Sequence, residues 1–176
     1  MDLEQGQELQ KLTQRAHAAL CAGSWRLRLA VLPSFDNSLV VGVLRDRPTS
    51  IVARIWQRHQ DLRKLTSPVE RLKHPATLEP TVTEMCVDDL NAVAENSLRC
   101  LHDLHLVTLP AHRRISLDGT RHSLLVTDSN FELNLSWTTP GPDEWRPVAD
   151  WFDQTKAAFC KALSFDAINQ EAVSGF

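Results

Sequence analysis

Leu9, Leu12, Ala16 and Ala19/Leu20 recur at helical spacing within residues 3 to 21, while Glu4, Gln7, Lys11, Gln14 and Arg15 fill the remaining face. That is the pattern of an amphipathic helix, and Gly23 supplies its stop. From Ser24 the period changes to two. Trp25, Leu27, Leu29 and Val31 alternate with Arg26 and Arg28, which predicts a half-buried strand. Pro33, Asp36 and Asn37 mark a turn. Residues 39 to 44 are apolar on both faces and read as a central strand. Asp46-Arg47-Pro48-Thr49 turns the chain again, and residues 51 to 56 complete an antiparallel meander.

Residues 57 to 80 carry two prolines and a poor apolar period. They read as a surface excursion, with a short helix around 60 to 65, leading into a fourth strand over 81 to 87. Asp88 or Asp89 caps the next helix, whose stripe is Leu90, Val93, Ser97, Leu101 and Leu104, supported by Leu98 and Cys100. Pro110 ends that stretch. Ile115 and Leu117 run into Asp118-Gly119, a strong hairpin signal, and residues 124 to 127 form the return strand. After the turn Asp128-Ser129-Asn130, the residues Phe131, Leu133, Leu135 and Trp137 line one face of a last strand. Pro140-Gly141-Pro142-Asp143 is a rigid connection to a final helix starting between Glu144 and Pro147. Its stripe is Val148, Trp151/Phe152, Thr155, Phe159 and Leu163; residues 164 to 176 add a short helix or fray. The order α-β-β-β-β-α-β-β-β-α predicts one α+β domain over residues 1–176. Its single antiparallel (or mixed) sheet has six to seven strands, with the helices mainly on one face.

Composition narrows the function. The 176 residues are 43% hydrophobic and include five Trp, six Phe and no Tyr, a balance that folds rather than stays disordered. The longest strictly apolar run, residues 39 to 44, is far short of the roughly twenty a membrane span needs, so no membrane partner is expected. The N-terminus is polar and acidic where a signal peptide would be basic and then apolar, which points to the cytoplasm. Cys21, Cys86, Cys100 and Cys160 are widely spaced, which fits reduced thiols there.

Catalytic patterns are missing. There is no GxSxG, HExxH, paired CxxC, GxGxxG or P-loop, so no cofactor is expected. His102 and His105, three apart, could offer a metal only two ligands and read better as helix-end groups favoured by the dipole. Asp118 reads as a turn residue. Charge, however, is uneven. Between Arg45 and Lys73 eight basic residues face three acidic, a local +5; between Glu79 and Leu104 six acidic face one basic, a local −5. The net charge of −3 and the lack of interleaved aromatics in the basic stretch make nucleic acid an unfavoured partner. The acidic segment suits docking to a basic protein. Trp25, Trp137 and Trp151 fall on apolar faces and read as core. Trp56, opposite Ile51 and Ile55, and Trp145, in a proline-rich loop, are less well explained by packing and are interface candidates, together with Asp88, Asp89 and Glu95.

The stretch from 115 to 163, with its Asp118-Gly119 turn, short strands ending at Trp137, the loop carrying Trp145 and a closing helix, resembles small bacterial α+β proteins of the toxin-immunity type. The resemblance covers about a quarter of the chain and carries over no functional residue. It implies a non-enzymatic protein that binds and neutralises a toxin or effector domain. Two other expectations stand beside it: a small hydrolase or transferase whose site assembles only in space, and a nucleic-acid-associated or structural subunit using residues 45 to 73. A homodimer would be ordinary for a chain this size.

Overall fold

The computed structural model describes residues 3–34, 36–67, 78–104, 119–139 and 141–164. Its elements are α1 (Leu3–Cys21), β1 (Trp25–Leu32), β2 (Leu39–Leu44), β3 (Arg47–Trp56), α2 (Arg58–Thr66), β4 (Val82–Val87), α3 (Asn91–His102), β5 (Arg121–Asp128), β6 (Phe131–Thr138), a 3-10 turn (Asp143–Trp145) and α4 (Arg146–Ala162). The six strands form one sheet in the order β4-β3-β2-β1-β5-β6, with every neighbouring pair antiparallel. The fold is thus α+β with a single antiparallel sheet, as the hydrophobic pattern predicts. The expected hairpin at Asp118, together with His105, Pro110, Ile115 and Leu117, lies outside the described residues, as do Arg71, Lys73 and the segment after 164.

The larger core lies between the sheet and the pair α3 and α4. Ala94, Leu98 and Leu101 come from α3, and Val148, Trp151, Phe152, Phe159 and Leu163 from α4 and its end. Phe152 and Phe159 are fully buried, each contributing about 1.5–3 kcal/mol of transfer free energy. Trp151 donates its indole N–H to the Ser97 carbonyl at 3.0 Å, tying the two helices together. A second core occupies the opposite face. There α1 sets Leu12, Ala16 and Leu20 against Trp25, Ala30, Val40, Val52 and Trp56, and Gly23 ends the helix with φ +101°, a conformation glycine adopts without strain.

Two irregularities shape the sheet. The register shifts between Trp25 and Leu27, so Trp25 faces α1 whereas Leu27 faces α3 and α4. In a regular strand these two would share a face. At the centre, Gly42 pairs with Arg28 and Val52. A Cβ there would stand 1.9 Å from the Leu27 carbonyl oxygen, so only glycine admits this approach of β1 and β2.

Candidate functional site

Trp56 is not at the surface. It is 1% exposed, lies under α1 with its ring edge-on to His17, and donates its indole N–H to Asp61 Oδ2 at 2.9 Å. The strand face opposite Ile51 and Ile55 is therefore a second core, which removes Trp56 from the interface candidates. Asp61, fully buried, also accepts from the Thr81 backbone N–H (2.7 Å), the Thr81 hydroxyl (2.7 Å) and Lys64 Nζ (3.2 Å). Burial alone would raise its pKa, but those hydrogen bonds outweigh it and hold the carboxyl below its ordinary value.

The expected caps also act differently. The N-cap position of α3 is Leu90, with no side-chain cap. Asp88 instead accepts from the Ser50 hydroxyl at 2.5 Å, linking β3 to the end of β4. Asp89 takes φ +61°, a left-handed turn that Asp tolerates, and this brings the Leu90 N–H onto the Thr49 carbonyl. Cys100, expected to support the α3 stripe, lies exposed instead. Trp145 is half-buried, with its ring edge-on to Trp137 at 6.3 Å between centroids.

The two blocks of opposite charge touch at Glu84, and other members of each are paired elsewhere. Strand pairing sets Arg54 opposite Glu84, and the two bond at 2.7 Å, with Arg47 at 3.8 Å from the same carboxylate. Arg54 also donates to the Leu20 and Ala22 carbonyls at the end of α1 and lies over the Trp25 ring. Arg15 reaches Glu79, Lys64 reaches Asp61, and Arg58 is buried. Among the described residues, Arg47, Arg54, Arg58 and Lys64 of the basic stretch therefore build structure rather than present a continuous cationic face.

One concavity stands out. Between α3 and the β5–β6 hairpin is a groove of about 520 Å³, within the usual size range of binding pockets. Its floor is Leu98, Leu101, Leu104, Val126 and Leu133, and its rim carries Arg26, Glu95, Arg99, His102 and Asp128. The bulge in β1 turns Arg26 toward α3, where it bonds Glu95 at 2.5 Å. Phe131, the first residue of β6, closes one end and is 52% exposed, the large apolar side chain most open to solvent among the described residues. Of the interface candidates, only Glu95 reaches this groove. The Asp128 carboxylate is already engaged by the backbone N–H and hydroxyl of Ser129, and that backbone bond leads the causes holding its pKa low. It thus offers a rim charge rather than a general base.

Among the described residues no three His, Cys, Asp or Glu side chains converge to hold a metal, and all four cysteines are free. No helix there is long and apolar enough to cross a membrane. No family model, curated protein or solved structure matches the chain.

Proposed function

We propose that the protein is a non-enzymatic binding protein that acts in the cytoplasm on another protein, as an immunity protein does, by covering the working surface of a toxin or effector domain. The groove beside Phe131 supports this reading. It joins an apolar floor to a rim of both charge signs, the composition of a protein-recognition patch with a desolvated centre. The fitting partner element is a loop or helix that inserts one or two apolar side chains and meets the Arg26–Glu95 pair with polar groups. The resemblance of residues 115 to 163 to immunity-type proteins points the same way.

The test is capture from the source organism's lysate by the wild-type chain and by Phe131→Asp in parallel. A stoichiometric partner held by the wild type, released by the variant and inhibited on binding supports both reading and site. Equal capture by the two chains moves the interface elsewhere. Turnover of a small molecule by the purified protein would overturn the non-enzymatic reading. Phe131→Asp should leave urea stability within about 1 kcal/mol, because the ring is half exposed.

A further inference from the structure

We propose that His17, Ser38, Arg58 and Arg121 form a binding site for a phosphate dianion, on the sheet face opposite the groove. Six elements meet there. Arg121 opens β5 directly across from Leu32 at the end of β1, and Ser34, two residues further on, accepts a hydrogen bond from Arg58 Nη1 at the start of α2. Ser38 leads into β2, and its hydroxyl oxygen lies 3.4 Å from His17 Nε2 on α1. His17 and Arg58 both lean on Trp56, at 6.2 Å and 5.7 Å from its ring centre.

Apart from the Ser34 carbonyl, the Arg58 guanidinium has no hydrogen-bond acceptor among the described residues. Arg58 is 7% exposed and its Nε is buried without a hydrogen-bond partner, an arrangement that costs stability until an acceptor arrives. Among the described residues neither Arg58 nor Arg121 has a carboxylate at ion-pairing distance. The nearest acid, Asp36, is largely exposed and lies 3.7 Å from His59. It raises the Arg58 pKa without offsetting burial, which leads in lowering it. His17 records the surplus of positive charge: burial first, then Arg121 and Arg58, press its imidazole toward the neutral form. Two guanidiniums, an imidazole and a hydroxyl gathered at one end of this sheet face suit a tetrahedral dianion with several acceptor oxygens better than a single carboxylate. Arg121 is exposed to solvent, where an anion would first meet the cluster, and Arg58 is buried behind it.

The experiment titrates the His17 ring proton by NMR and records the melting temperature. It uses inorganic phosphate or glycerol 3-phosphate, each against chloride of equal ionic strength. A bound dianion favours the imidazolium, so the His17 pKa rises toward or past its ordinary value, and the melting temperature rises with ligand concentration. Arg121→Gln, at an exposed position, weakens the response about tenfold or more. A response to both ligands assigns the site to the phosphate group itself, and a response to glycerol 3-phosphate alone assigns it to a monoester. Unchanged His17 titration in both ligands, or a full response in Arg121→Gln, would overturn the site.

Discussion

Asp61→Ala should be among the most damaging single substitutions in this chain. Its carboxylate is fully buried and gathers the Trp56 indole, the Thr81 backbone N–H, the Thr81 hydroxyl and Lys64, joining β3, α2 and the approach to β4. Alanine strands the buried Trp56 indole N–H and takes the acceptor from the part-buried Thr81 N–H and hydroxyl, at about 1–3 kcal/mol for each donor kept from water. Lys64 is 29% exposed and rehydrates, so its share is discounted. The sum is about 4 kcal/mol, a large part of the roughly 5–15 kcal/mol that holds a domain together. Asp61→Asn keeps one acceptor oxygen but turns an N–H2 toward donors, and should cost about half as much. Urea unfolding at pH 7, followed by tryptophan fluorescence, measures both, with the unchanged slope confirming a change in stability alone. A loss below about 1 kcal/mol for Asp61→Ala would show that the network is replaceable by water and refute the reasoning. Acid titration gives an independent check. The folded pKa lies below the ordinary 3.8, so the stabilisation is fully present above 3.8 and is lost as pH falls through the lower folded value. Asp61→Asn should lack that part of the acid limb.

His17 and His122 are both held below the ordinary 6.5, chiefly by burial. Below 6.5 the unfolded chain therefore binds protons the native chain refuses, and stability falls on acidification from 6.5 down to the folded values. His122→Phe, which keeps an aromatic ring against Trp137 and Phe152, should flatten this slope in urea midpoints measured from pH 7.5 to 5. Gly42→Ala should cost about 3 kcal/mol or more by urea unfolding, because its Cβ meets the Leu27 backbone oxygen at 1.9 Å and only a shift of two central strands relieves the clash.

The strands and long helices are legible because their burial follows a local period. The α4 stripe Val148, Trp151, Phe152, Thr155, Phe159 and Leu163 is buried at every position. Trp56 is misread for the converse reason. Alternation shows that it opposes Ile51 and Ile55, but only a long-range contact with α1 makes that second face a core. The charge blocks mislead in the same way, since the β3–β4 register that sets Arg54 against Glu84 is invisible to a count along the chain. Arg26 joins the groove through a bulge that period-two alternation does not register. Phe131 does sit on the expected strand face, yet its exposure depends on how far α3 reaches across the sheet.

That cancellation of charge also bears on how a partner would be recognised. If Glu79, Glu84 and Glu95 were free, an acidic face would steer a basic partner, with fast and salt-sensitive association. Each instead has an arginine within 4 Å, at 3.9, 2.7 and 2.5 Å for the closest atoms, and the whole chain carries only −3. What remains distinctive at the groove is apolar: exposed Phe131 and half-buried Leu133 over the buried Leu98 and Leu101. Binding there should depend weakly on salt, with association near the unsteered 10⁵–10⁶ M⁻¹s⁻¹ and affinity set by how slowly the inserted side chains leave. Stopped-flow association at 20 and 500 mM salt measures this directly. A rate that falls a hundredfold over that range would return the acidic segment to the centre of the interface and displace the groove.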